Sequence, residues 1–288
     1  MPRLYVVATP IGNLQDMSPR ALETLKNVAF IAAEDTRVTM KLCQVFDIHT
    51  PLVSCHMHNE DSKGAELAQR MLTEQTDAAL VTDAGTPCIS DPGHSFVRAC
   101  CERGIEVLPV PGPVAAAAAL SISGMECREW KFYGFLPREK KDLRSALERI
   151  PRETQIAIVH ESPYRVLFLM EQISEVLPEC MVSVSCDLTK LHELTLRGSV
   201  QQVLEEMQKN PKTEKGEYCL VLDVHDCQVK EERGQDELPA EVLLLQKIME
   251  GNSLREAQDA LIEAGVRKNA VKAAALQVKK RMLEDEIW

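Results

Sequence analysis

No apolar run in the 288 residues approaches the roughly 20 needed for a helix to cross a bilayer. The N-terminal stretch Met1-Pro2-Arg3-Leu4-Tyr5-Val6-Val7 enters an apolar run too short for a secretory signal. Membrane insertion and secretion are therefore not expected, and a cytoplasmic location is. There are ten cysteines but no C-x-x-C pair, and Cys100-Cys101 are adjacent within a helical pattern. Cys186 and Cys219 sit in apolar runs, where a free thiol packs as a small hydrophobe. Buried thiols in a reducing compartment are expected, not a disulfide framework. G-x-G-x-x-G and G-x-x-x-x-G-K-[ST] are both missing, which excludes the usual dinucleotide and triphosphate cradles. Internal repeats and low-complexity tracts are missing too. Positive charge is in deficit: 33 Lys and Arg against 44 Asp and Glu give a net charge of −11. That balance argues against general coating of nucleic acid and leaves only a local basic patch for such a role.

What is present is ordinary globular composition, 45% hydrophobic and 27% charged, in a chain long enough for two domains. The first half alternates short β-type runs with helical periodicity, the pattern of a layered α/β domain. Strands are expected at Leu4–Thr9, Val28–Ala33, Ala78–Thr82, Ile105–Val110 and Phe132–Phe135. Ser18-Pro19 reads as N-cap and first position of a helix, and Gly104 as the stop after a helix near His94–Arg103. Further strands are expected at Ile156–Val159, Val182–Leu188, Glu193–Leu196 and Tyr218–Val224, with helices at Tyr164–Leu177 and Val200–Met207. Three helices close the chain, Ala240–Met249, Leu254–Ala264 and Lys268–Leu283; Ser253-Leu254-Arg255-Glu256 is a capping box for the second. The expected organisation is an α/β domain at 1–121, a second at 122–225, a charged linker at 226–238 and a helical unit at 239–288.

Four loops rich in Gly and Pro flank the strands: Thr9-Pro10-Ile11-Gly12-Asn13-Leu14, Asp83-Ala84-Gly85-Thr86-Pro87, Ser90-Asp91-Pro92-Gly93 and Pro109-Val110-Pro111-Gly112-Pro113. In open α/β sheets, ligands bind beyond the carboxyl ends of strands, where glycine lets them approach the backbone. One such loop is only a turn; four in one domain point to a ligand.

These loops, together with Ala32-Ala33-Glu34-Asp35-Thr36-Arg37, resemble the bacterial ribosomal RNA small subunit methyltransferase I family. The likeness continues through His58-Asn59-Glu60, Tyr133-Gly134-Phe135-Leu136-Pro137, Glu161-Ser162-Pro163, Leu188-Thr189-Lys190 and Lys215-Gly216-Glu217, so it spans nearly the whole chain in order. It implies two α/β domains of tetrapyrrole-methylase type with S-adenosylmethionine in the cleft between them. It also implies 2′-O-methylation of a cytidine ribose at the decoding centre of 16S rRNA, with the small ribosomal subunit as partner and a homodimer as the usual assembly. By that resemblance Pro10, Ile11, Gly12, Asn13, Asp83, Ala84, Gly85, Thr86, Ile89, Pro111, Gly112, Val114 and Ala115 would line the cofactor. The sequence departs from the family at Tyr164, where His is usual, and at Asp187, where Glu is commoner.

A ribose hydroxyl needs a base or a charge to stabilise the developing alkoxide. Glu34, Asp35, Arg37, Glu161 and Lys190 are candidates, with structural ion pairs as the alternative for each. Cys55-His56-Met57-His58-Asn59-Glu60 places two imidazoles on one expected strand face, but nothing elsewhere completes a tetrahedral set, so no metal is expected. For RNA, one basic patch lies at Arg267, Lys268, Lys272, Lys279 and Lys280, in a helix-turn-helix-like arrangement. A second lies at Arg138, Lys140, Lys141 and Arg144, running on to Arg149 and Arg152. Two rival functions remain open on sequence grounds: methylation of a small tetrapyrrole, which has no use for a basic helical unit, and an RNA-binding module without catalysis.

Overall fold

A computed structural model describes residues 1–56, 60–211, 213–227, 240–266 and 268–284. It divides into two compact units, Met1–Val229 and Lys230–Trp288. The first unit opens with β1 (Arg3–Val7), α1 (Pro19–Asn27), β2 (Phe30–Ala33), α2 (Thr36–Val45), β3 (Leu52–Ser54), α3 (Glu60–Glu74), β4 (Ala78–Val81), α4 (His94–Glu102) and β5 (Glu106–Val110). The strands form one all-parallel sheet in the order β3-β2-β4-β1-β5. β2 and β4 are buried along their whole length, as continuous apolar runs covered on both faces should be. Their side chains alternate between two cores. Phe30, Ala32 and Leu80 meet Leu67 and Met71 of α3 and Phe96 of α4 on one face; Ile31, Ala33 and Val81 meet Leu25 of α1 and Cys43 of α2 on the other.

Local chemistry starts the helices. Ser18 accepts the Ala21 N–H at 3.1 Å with Pro19 in the first turn, and Asp35 accepts the Arg37 N–H at 2.8 Å to open α2. The connections leaving β1 and β4, which are neighbours, run to opposite sides of the sheet, so the topological switch lies between their carboxyl ends.

After β5 come α5 (Ala115–Ser123), β6 (Lys131–Phe135), α6 (Lys140–Glu153), β7 (Ile156–Glu161), α7 (Val166–Val176), β8 (Met181–Cys186), β9 (Leu194–Ser199), α8 (Val200–Lys209) and β10 (Tyr218–Asp223). This second sheet has the order β6-β7-β10-β8-β9; only the β6–β7 pair is parallel. Helices α6, α7 and α8 cover one face, and α5 covers the other through Ala116 and Ala119 against Ile158, Cys219 and Val221.

The second unit contains α9 (Ala240–Met249), α10 (Leu254–Glu263) and α11 (Lys268–Glu284), packed through Leu244, Leu261, Val271 and Ala274. The Ser253/Glu256 capping box forms as expected.

Several expectations shift. The domain edge at 121/122 falls inside α5, a helix whose small residues let it lie against the second sheet. Helix α2, strand β3 and helix α3 add to the first half, the strand being too short to show a period of its own. Because β3 ends at Ser54, His56 is not on a strand, and His58 lies outside the described residues. Helix α7 begins at Val166, leaving Tyr164 ahead of it, exposed. Most of the expected linker at 226–238 lies outside the described residues. All ten cysteines carry free thiols, six of them buried. Among the described residues no helix is long and apolar enough to cross a membrane.

Candidate active site

Three of the predicted loops meet at the switch point. Thr9 and Gly85 exchange both backbone hydrogen bonds, at 2.8 and 3.1 Å, locking the loop after β1 to the loop after β4. Gly85 has φ +85°, a conformation that favours glycine. Thr86 Oγ1 donates to the Pro113 carbonyl at 3.0 Å and ties in the loop after β5. Gly112 packs so closely that a Cβ there would fall 2.8 Å from the Ala8 Cβ.

These loops form one wall of a cavity to which Ile11, Ala84, Gly85, Thr86, Ile89, Val114 and Ala115 contribute, all of them expected. Pro10, Gly12, Asn13, Asp83, Pro111 and Gly112 belong to the same loops but do not line it. Gly12 has a different reason to be glycine: a Cβ would lie 2.5 Å from Lys190 Cγ and 2.9 Å from Thr189 Oγ1. Its bare side faces the second sheet's loop, and Asn13 N–H donates to Thr189 Oγ1 at 3.1 Å beside it.

Ser90 and Asp91, from a loop singled out in the sequence but not assigned to the cofactor, complete the lining with Ala116, Phe132 and His160, which the sequence reading missed. Phe132 and His160 come from β6 and β7, and no motif joins them to the loops; the one available signal was an imidazole ending an otherwise apolar strand. The Phe132 ring meets His160 edge-on at 5.0 Å and the Phe135 ring does so at 5.9 Å. Burial lowers the His160 pKa, partly opposed by Glu217, so its imidazole is held neutral. Its Nε2 is buried and takes no hydrogen bond within the described residues.

Carboxylates gather at the ends of β2 and β4. Glu34 Oε2 accepts from Thr82 Oγ1 at 2.6 Å, and Asp83 Oδ1 accepts the Asp35 N–H at 3.1 Å. Asp35 binds the Arg37 guanidinium at 2.6 Å, and that hydrogen bond pulls its pKa down to about 2. Burial pushes Asp83 up, and it pushes Asp91 up to about 6 with help from the charges of Glu34 and Asp83. Asp91 is the one carboxylate lining the cavity.

Of the two candidates from the second sheet, Lys190 is held in ion pairs, while Glu161 is bonded through Oε1 and its buried Oε2 has no hydrogen bond among the described residues. Alternation along β7 puts His160 on the cavity side and Glu161 on the side of Ala157 and Val159, which face α6 to α8. Glu161 Oε1 accepts the Ser162 N–H at 2.7 Å, and Oε2 is 3.5 Å from Arg165 Nη2. Lys190 Nζ lies 2.8 Å from Asp187 and 3.0 Å from Glu217. Burial would lower its pKa, but those two carboxylates outweigh burial and hold it above its ordinary value as a fixed cation. The shorter Asp187 suits this corner, since a Cβ on Gly216 would already sit 2.7 Å from its Oδ2.

The basic patches are less free than their charge count suggests. Arg144 pairs with Glu148 and Arg149 with Glu153 along α6, whereas Arg138 and Lys141 are exposed with no ion pair among the described residues. Lys140 reaches Glu175 at 4.0 Å. On α11, Lys268, Lys272 and Lys279 are exposed on one face; Arg267 and the Lys280 side chain lie outside the described residues.

The Tetrapyrrole (Corrin/Porphyrin) Methylases family matches residues 3–204. The chain is 40% identical over 271 residues to the Ribosomal RNA small subunit methyltransferase I of Bacillus subtilis (strain 168), covering 93% of this chain and 92% of that one. It is 41% identical over 278 residues to the protein of the same name from Escherichia coli O157:H7, covering 96% and 95%. The chain belongs to the ribosomal RNA small subunit methyltransferase I family. Among solved structures, a uroporphyrin-III-C-methyltransferase from Thermus thermophilus shares the fold with a TM-score of 0.51 at 18% identity, covering 77% of this chain and 94% of that one. The methyl donor of this family is S-adenosylmethionine. The lining suits part of such a molecule: small residues at Ala84, Gly85 and Ala115 let it approach the backbone, while Thr86, Ser90, Asp91 and the His160 Nε2, which has no hydrogen bond among the described residues, offer polar contacts.

Proposed function

We propose that this protein methylates the ribose 2′-hydroxyl of a cytidine in 16S rRNA, at the decoding centre of the small ribosomal subunit. The observation that carries the RNA reading is the similarity itself, 40–41% identity over almost the whole chain, to proteins named for ribosomal RNA. Matches covering 93% and 96% of the chain necessarily run into the unit beyond Val229, whereas the tetrapyrrole methylase match ends at residue 204. The helical unit is therefore shared with these two proteins, which are named for ribosomal RNA. Its exposed lysines at 268, 272 and 279 offer phosphate contacts that a small tetrapyrrole would not use.

Bound S-adenosylmethionine supplies an electrophilic methyl group on a sulfonium. The protein's part is to hold donor and acceptor in line and to take up a proton. Ile11, Ile89, Val114 and Phe132 give the cavity apolar walls. Asp91 is the residue we assign as proton acceptor, because its carboxylate lines that cavity with a pKa of about 6, close to the working pH. Asp35, held by Arg37 and far down in pKa, is too weak a base for the task.

The test offers unmethylated small subunits, naked rRNA and a tetrapyrrole side by side with labelled methyl donor. A ribose-methylated product resists alkali at one cytidine, so the hydrolysis ladder should lack a single band. A complete ladder with label on a base overturns the ribose assignment, and transfer to the tetrapyrrole alone overturns the RNA assignment.

A further inference from the structure

Among the described residues only three of the Phe, Tyr and Trp side chains are exposed: Trp130, Phe135 and Tyr164. Two of them share one end of the second sheet. β6 and β7 run parallel with Phe135 paired to His160, so the carboxyl ends of both strands lie together; Phe135 is the last residue of β6 and Tyr164 follows β7 by three residues. The two segments are joined beyond the strands, where Arg165 Nη2 donates to the Pro137 carbonyl at 3.1 Å. Phe135 is 62% exposed and Tyr164 85%.

A lone exposed aromatic needs no explanation. Two features set this pair apart. The Phe135 ring rests edge-on against His160, whose other neighbour ring, Phe132, lines the cavity with it, so Phe135 stands at the rim of the active site. Arg138 and Lys141, exposed and without ion pairs among the described residues, follow within six positions of Phe135. Rings that present a bare π-face beside uncommitted cations suit a strand of unpaired nucleotides, in which bases stack and phosphates are neutralised. A tyrosine serves that purpose at position 164 as a larger stacking surface than an imidazole.

We propose that Phe135 and Tyr164 form a stacking platform for unpaired nucleobases next to the nucleotide that enters the active site. This rests on the reading of the protein as an rRNA methyltransferase. The platform orients the strand through base faces, so it tolerates sequence and requires single-stranded character.

The experiment uses full-length protein with Phe135→Leu, Tyr164→Leu, the double variant and Tyr164→Phe, which keeps the ring. Five quantities are measured: affinity for labelled single-stranded RNA and for fully paired RNA by fluorescence anisotropy, KM for methyl transfer to unmethylated small subunits, affinity for S-adenosylmethionine by titration calorimetry, and thermal stability by melting. Each leucine should weaken RNA binding about tenfold, with Tyr164→Phe close to wild type. KM for the subunit should rise in parallel, while cofactor affinity, thermal stability and affinity for fully paired RNA stay unchanged. Wild-type transfer to the subunit with an unaltered KM and RNA affinity in the double variant overturns the platform alone. Absence of any methyl transfer to RNA by the wild-type protein overturns the proposed function, and the platform with it.

Discussion

At the scale of single residues, environment decides which acid can act. Asp35 and Asp91 carry the same side chain, yet one is clamped by a guanidinium and the other half-buried beside Glu34 and Asp83. Their pKa values part to about 2 and about 6. Asp91 above its ordinary 3.8 means that the folded protein holds a proton the unfolded chain has lost. Its contribution to stability is therefore full below about pH 4 and is lost as pH rises through about 6. Asp91→Asn, neutral throughout, should be more stable than wild type at pH 7 by about 1 kcal/mol or less, given the screening at a half-exposed site. The same variant should lose about 100-fold in kcat, and the wild-type rate should climb between pH 5 and 7. Thermal melts at pH 4 and 7 with a pH–rate profile check both; full activity in the asparagine variant would remove Asp91 from catalysis.

At the scale of elements, the loop after β1 is held from the far side by the loop between β8 and β9. That second loop is strained: Asp187 has φ +52° and Thr189 φ +68°, an unfavourable backbone for a β-branched residue. What it gains is the Thr189 hydroxyl on Asn13 N–H and a lysine stem filling the space beside Gly12. Lys190 is pinned at its far end by Asp187 and Glu217, so it cannot simply swing away. Gly12→Ala should cost about 1–3 kcal/mol through this overlap. Cofactor affinity should fall as well, because the same loop carries Ile11 into the cavity. Calorimetric melting and titration check the pair of effects, and a variant with wild-type values for both would show that the two loops part easily. Gly85→Arg acts differently: its strained φ and its place in the wall should abolish cofactor binding in a protein that still folds.

At the scale of the whole molecule, the proposed function predicts that cofactor binding and RNA affinity separate between the two units. The cut must fall after Val229, since Val224 and Cys227 are buried in the core of the second sheet. Residues 1–229 alone should bind S-adenosylmethionine as the full chain does. Their affinity for small subunits should drop, with a shallower dependence on salt as the lysine contacts of α11 are lost. Equal binding of both forms across a salt series would show that the helical unit does not touch RNA. The net charge of −11 makes such local contacts necessary, because the protein as a whole repels a polyanion.

Much of this was legible in order along the chain. Buried strands announced themselves as unbroken apolar runs at Phe30–Ala33 and Ala78–Val81, and Ser18-Pro19 and Ser253 marked helix starts through bonds closed within three residues. The glycine and proline loops marked much of the cavity wall for the same reason, since backbone turns are written locally. The rest was decided only in three dimensions. His160 and Phe132 reach the cavity because β6 and β7 pair in parallel beneath α5, and Glu161 misses it because strand alternation turns it to the other face. Gly12 serves a contact with residues more than 170 positions away, and the basic residues of α6 are partly neutralised by neighbours that charge counting cannot assign. A sequence fixes what each segment prefers by itself. Which side chains share a wall, and in which charge state, depends on sheet register and burial, and those exist only once the two sheets have packed.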